Sequence, residues 1–149
     1  MLDRYWHADA NRISPEAPVP VASITDTNDR AGGAANVAQN INSLGSRVTL
    51  LGVIGDDQEG EILQTILQEQ KINTDLVSKS SIRTTSKIRI VSRNQQLIRL
   101  DFDDKANSCT AEVEKAFIAS VKECSIVILS DYGKGVLSDA QAIIKEARV

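Results

Sequence analysis

Arg30–Gly45, RAGGAANVAQNINSLG, is the stretch whose reading decides the fold. A glycine pair, Gly32-Gly33, runs straight into a helical pattern. Glycine reaches positive φ without a Cβ penalty and lets a ligand approach the main chain closely. Beyond the pair, Val37, Ile41 and Leu44 recur at intervals of four and three, the period of one helical face. Gly45 supplies the C-terminal stop. Such a turn aims its first backbone N–H groups, and the positive end of the helix dipole, at whatever lies in front of it. Asn36, whose amide both donates and accepts, suits a hydroxyl-rich ligand. By itself the same glycine pair serves equally as a tight strand-to-helix connection.

Downstream, Val48–Ile54 (VTLLGVI) is a near-continuous apolar run of strand length, as in a parallel strand buried on both faces. Gly55-Asp56-Asp57 follows, with acids placed to cap the next helix. That helix is expected from Gln58 to Gln70, with Ile62, Leu63, Ile66 and Leu67 on one face. Ile72–Val77 then returns to the sheet, a βαβ order. A metal reading of Asp56, Asp57 and Glu59 competes with acids favoured by the helix dipole, and the dipole reading is preferred, so no metal site is expected. Upstream, Pro15, Pro18 and Pro20 confine Ile13–Thr25 to an edge strand or extended segment. Asp26–Asp29 makes a polar turn into the glycine pair.

Between Thr84 and Phe102 the period changes to two. Ile88 and Ile90 alternate with Lys87, Arg89 and Arg93, and after Asn94-Gln95-Gln96 the residues Ile98, Leu100 and Phe102 alternate with Arg99 and Asp101. This is a β-hairpin with a polar turn. Lys87, Arg89 and Arg93 share a face, and a simple register adds Arg99. The cations serve either as a solvated, aggregation-blocking edge or as a clamp for phosphate oxygens. Asp101 partly neutralises Arg99. Thr110 is a candidate N-cap for a helix over 111–122, with Val113, Phe117 and Val121 along its buried stripe. Ser125–Ser130 (SIVILS) reads as another buried strand, ending at Asp131-Tyr132-Gly133-Lys134-Gly135. That is where an open α/β sheet places its ligands, although an ordinary turn before a helix starting near Ser138 would read the same way.

The 149 residues are a one-domain length, 42% hydrophobic, with net charge −3. Neither nucleic acid nor an anionic membrane is an expected partner. No apolar run approaches a bilayer span, and no signal-peptide pattern opens the chain. Cys109 and Cys124 lack metal-ligand spacing and read as buried or half-buried free thiols. His7 is the only histidine, a poor basis for histidine catalysis.

The block from Gly32 to Ala38, followed by Gly45 and Gly55 at intervening lengths of six and nine residues, resembles the signature of the ribokinase/PfkB family of sugar kinases. Four further segments, MLDRYW at the start, RISPEAPVP at 12–20, SRNQQLIRLDF at 92–102 and LSDYGKG at 129–135, narrow the resemblance to the heptose 7-phosphate kinases within it. The resemblance implies an α/β, ribokinase-like fold: a partial Rossmann-like parallel sheet flanked by helices, with a small β lid. It implies a core over about 1–11, 28–83 and 105–149, and a lid over about 12–27 and 84–104. Residues 1–6 would be the end of the first core strand and the loop leaving it. Asp3 would accept hydrogen bonds from sugar hydroxyls. Gly32, Gly33, Asn36, Lys87, Arg89, Arg93 and Asp131 would bind substrate, and Lys134 and Arg99 are further candidate phosphate contacts.

The reaction so implied is phosphorylation of O1 of a heptose 7-phosphate by ATP with Mg²⁺, in a cytoplasmic enzyme whose lid pairs in a homodimer. The family's general base lies in a Gly-Ala-Gly-Asp motif that this sequence does not contain. The chain therefore reads as a fragment lacking the base and the ATP half-site, inactive alone and expected to bind neither cofactor well. Another ribokinase-like sugar or nucleoside kinase, and a non-catalytic dimerising module, are the competing readings.

Overall fold

The computed structural model describes residues 1–104 and 110–147. Two sheets share one core. The larger is four-stranded and mixed, built from β1 (Leu2–Ile13), β2 (Pro20–Ala31), β5 (Ser86–Ser92) and β6 (Gln95–Phe102). Its order is β2-β1-β5-β6, with β1 antiparallel to β2, parallel to β5, and β5 antiparallel to β6. The smaller sheet is a parallel pair, β3 (Thr49–Gly55) and β4 (Asn73–Lys79), joined through α2 (Gln58–Glu69). Helix α1 (Ala34–Ser43) links β2 to β3; α3 (Thr110–Val121) and α4 (Ala140–Glu146) follow β6.

The core lies where the two sheets meet α1 and α2. Leu2, Ala31, Ala35, Ala38, Ile54, Leu63, Leu67 and Ile72 form the buried cluster, with Val48, Leu50, Ile62, Ile66 and Leu76 packed against it. The apolar face expected on α2 is therefore the packed one. Asp57 caps α2, its side chain accepting from the Gly60 N–H at 2.9 Å. The carboxylate also takes the Thr84 N–H at 2.7 Å and the Thr84 hydroxyl at 2.6 Å. Thr84, fully buried, accepts in turn from the Gly55 N–H at 2.8 Å. This clasp ties the β3–α2 turn to the segment entering β5.

Several expectations are corrected. Residues 1–6 are not a strand end and a departing loop; they begin a twelve-residue strand. Pairing on both sides, by β2 and β5, keeps that strand extended through Ile13. On α1 the buried residues are Ala35 and Ala38, while Leu44 is 84% exposed. Leu44 is already the C-cap, and Gly45 (φ 82°) reverses the chain there, so the small alanines make the close packing. The hairpin turn is Arg93-Asn94, both with positive φ (50° and 63°), the geometry that matches strand twist in a two-residue hairpin. Arg93 is thus a turn residue and not a member of the strand face.

Ser125–Ser130 is not a strand among the described residues, and Ile126 and Ile128 are 79% and 58% exposed. A strand needs a neighbour for its ladder, and this segment pairs with no strand of either sheet. Cys124 is exposed, at the turn leaving α3, and not buried. Cys109 lies outside the described residues, as does the side chain of Thr110, so the reading of Thr110 as a cap is left open. No helix among the described residues is long and apolar enough to cross a membrane.

Candidate sugar site

The alternation of β1 puts Asp3 and Tyr5 on one face of the mixed sheet. Cross-strand partners share that face: Arg30 opposite Asp3 and Asn28 opposite Tyr5 on β2, Lys87 and Arg89 beside the same two residues on β5. Across the next ladder Lys87 faces Asp101 and Arg89 faces Arg99. The result is a polar sheet face carrying four cations and two carboxylates.

At its β2 edge, Asp3, Tyr5, Arg30 and Asn36 line an open cleft of about 390 Å³, closed below by Gln39 of α1 and by Ile66 and Gln70 at the α2 end. Gly32 is what lets Asp3 sit there. A Cβ on Gly32 would lie 2.3 Å from Asp3 Oδ2, so the carboxylate rests directly on main chain. Gly32 N–H is taken by the Met1 carbonyl at 3.0 Å. Gly33 precedes α1 with φ 56° and ψ −130°, a conformation that L side chains avoid, and brings no side-chain cap. The first turn of α1 carries no acidic residue, so no carboxylate within the helix offsets its dipole.

Asp3 is the pivot. Its Oδ1 accepts from Arg89 Nη1 at 2.6 Å, and that hydrogen bond is the main reason the Arg89 guanidinium holds its proton above its ordinary range. Asp101 accepts from Lys87 at 2.7 Å and from Arg99 at 2.8 and 3.1 Å. The Lys87 bond, with help from that of Arg99, holds the Asp101 carboxyl below the usual range although desolvation pushes it up. Chemically, the arrangement offers a carboxylate acceptor and an amide for vicinal hydroxyls, beside guanidinium and ammonium donors suited to phosphate.

Of the residues singled out from sequence, Asp3 and Asn36 line the cleft, Gly32 lies against Asp3, Gly33 stands next to it at the start of α1, and Arg89 reaches the cleft through Asp3. Lys87 and Arg99 share the sheet face but are tied to Asp101. Arg93 stands at the hairpin turn and donates to Asn11. Asp131 does not line the cleft; its Oδ1 accepts from the Gly133 N–H at 2.8 Å in a local turn. Lys134 is paired with Asp103. Tyr5 and Arg30 line the cleft and were not singled out. The period-two alternation from Asp3 is their signal, but it becomes legible only once residues 1–13 are known to be a strand.

A glycine turn opens a helix, and a carboxylate and an amide line a cleft walled by a β sheet. Residues 3–147 match the pfkB family carbohydrate kinases, and the chain belongs to that family. It is 52% identical over 149 residues to the "Bifunctional protein HldE" of Actinobacillus succinogenes, covering 99% of this chain and 31% of that protein. It is 46% identical over 148 residues to the "D-beta-D-heptose 7-phosphate kinase" of Bordetella bronchiseptica, covering 99% of this chain and 47% of that protein. The chain thus spans 31% and 47% of the length of these two relatives. Among solved structures, phosphofructokinase-2 from Escherichia coli in complex with fructose-6-phosphate matches with TM-score 0.69 at 21% identity, covering 99% of this chain and 48% of that one. A 1-phosphofructokinase candidate from Thermotoga maritima gives TM-score 0.70 at 18% identity, over 99% and 47%. The ribokinase-like α/β fold expected from sequence is the fold of these enzymes.

Proposed function

We propose that the chain forms the sugar-binding part of a kinase acting on O1 of D-glycero-β-D-manno-heptose 7-phosphate, a step towards ADP-heptose and lipopolysaccharide core. One observation carries the reading: Asp3 rests on the Gly32 main chain, in a cleft with Asn36, beside a sheet face of cations. The names of the relatives that match across nearly the whole chain support it. Asp3 and Asn36 would orient the sugar by its hydroxyls, the N-terminal end of α1 would stabilise negative charge, and the hairpin with the segment before β2 would act as a lid excluding water. The lid reading covers the hairpin 84–104 and the segment 12–27; the rest is read as core.

ATP, with Mg²⁺, supplies the phosphoryl group in this reading. Among the described residues no three His, Cys, Asp or Glu side chains are grouped to hold an ion, and no carboxylate is assigned to Mg²⁺. Asp57 is engaged by Thr84 and Gly60, and Glu59 accepts from Arg4 at 3.3 Å. No step is therefore assigned to the metal. Nor does Asp131 serve as general base, since its carboxylate is spent in a local turn. The chain's contribution is binding, orientation and shielding, in a cytoplasmic setting, with lid-to-lid pairing of two copies as the expected assembly.

Calorimetric titration of the chain with heptose 7-phosphate and with unphosphorylated heptose tests this. Tighter binding of the phosphorylated sugar, without ATP turnover, is the expected result. Equal affinity would favour a kinase of another sugar or nucleoside. ATP turnover by the chain alone would overturn the division of labour.

A further inference from the structure

Charge pairing across the polar sheet face is uneven. Lys87 and Arg99 both lean on Asp101, and Arg89 leans on Asp3. Arg30 belongs to none of the ion pairs among the described residues; its Nε donates to the neutral Asn28 Oδ1 at 2.7 Å. Asp29, its chain neighbour in the cleft, is engaged by Arg4 at 2.8 and 3.2 Å. Arg30 nevertheless lines the cleft, exposed, directly across the ladder from Asp3. Its guanidinium lies 5.0 Å from the centroid of the Tyr5 ring, and the Arg89 guanidinium lies 5.2 Å from the same centroid.

Two guanidinium groups reach one aromatic ring, and only one of them has a carboxylate. An anion beside Arg30 would supply the ionic partner it lacks, and a phosphate matches the planar donor fork. We infer that Arg30, seated on Tyr5, is the residue that contacts the phosphate of the sugar phosphate and sets the preference for a phosphorylated substrate. Lys87 and Arg99, already neutralised, contribute mainly to the electrostatic background. Tyr5 offers its ring as a wall for the apolar side of the sugar. This rests on the sugar-phosphate reading above and adds to it which cation makes the contact.

The test is titration of the chain with D-glycero-D-manno-heptose 7-phosphate and with the unphosphorylated heptose, for wild type and for Arg30→Gln, Arg30→Lys, Lys87→Gln and Arg99→Gln. Removing one charge-assisted phosphate contact corresponds to a loss of about 10- to 100-fold. Arg30→Gln is expected to lose that much for the phosphorylated sugar only, leaving the free-sugar affinity and the melting temperature unchanged. Arg30→Lys should recover part of it, while the Lys87 and Arg99 variants should stay within about threefold. An Arg30→Gln chain that keeps the full preference overturns the inference, as does a larger loss in Lys87→Gln. A wild type without any preference removes the sugar-phosphate reading itself, and this is seen before any substitution is compared.

Discussion

Arg89 Nη1 donates to Asp3 Oδ1 at 2.6 Å, joining two residues 86 positions apart in the chain through adjacent strands. The pair holds the Asp3 carboxylate in one orientation, with its other oxygen against Gly32. Asp3 is thus held in place by the protein's own contacts. Replacing Asp3 by Asn keeps the shape and removes the charged acceptor. Affinity for heptose 7-phosphate should fall by about 1.5–3 kcal/mol, the size of a hydrogen bond to a charged group. Calorimetric titration reads this, and a change under twofold would remove Asp3 from the site.

Gly32→Ala should act on binding through Asp3. The added Cβ would meet Asp3 Oδ2 at 2.3 Å and Cγ at 2.8 Å, so the carboxylate must swing away. The expected loss of sugar affinity equals that of Asp3→Asn, and the double variant should lose little more, because both remove the same interaction. Full additivity in that cycle would show that Gly32 acts elsewhere.

Gly33→Ala differs, because space is available there and conformation is not. At φ 56° and ψ −130° an alanine is strained by about 1–3 kcal/mol, which should appear as a lower urea midpoint with an unchanged slope.

The clasp between Asp57 and Thr84 predicts both a stability and a pH effect. Thr84→Val leaves the Gly55 N–H unpaired in a buried place, at a cost of about 1–3 kcal/mol in denaturant melts. Burial pushes the Asp57 carboxyl up, but the hydroxyl and N–H of Thr84 and the Gly60 N–H together outweigh it. Its folded value lies below the ordinary 3.8. A depressed carboxyl stabilises the fold fully above its unfolded value. That contribution fades as pH falls from about 3.8 through the folded value. The Asp57→Asn chain should therefore show a shallower acid limb in a plot of stability against pH. An unchanged limb would mean that the hydrogen bonds do not discriminate between the two protonation states.

Leu67, 0% exposed at the meeting of α2 with the sheets, marks the centre of the core. Leu67→Ala should cost about 2–5 kcal/mol in the same melts, and Leu44→Ala, at an exposed cap, within about 0.5.

What could be read in the chain alone was local. The glycine turn before α1, the Asp57 cap, the packed face of α2 and the alternation of the β5–β6 hairpin each depend on a few neighbouring residues. Dihedral freedom, capping chemistry and side-chain period act over that same short range. Misreadings fell where an outcome depended on distant partners. Residues 1–6 had no visible reason to join a strand until β2 and β5 were seen on either side. Ser125–Ser130 has the composition of a strand, yet it pairs with neither sheet.

The site divides in the same way. The sequence by itself determined that a glycine turn, an amide and a set of cations were present, because residue types and spacings are local facts. Only the tertiary structure decided which of them meet. Strand register brings residues 3, 30, 89 and 99 onto one face, and it also decides which cations Asp3 and Asp101 neutralise. Register is a non-local property, set by the ladder hydrogen bonds and the burial of the opposite face, where Leu2 and Ile88 lie.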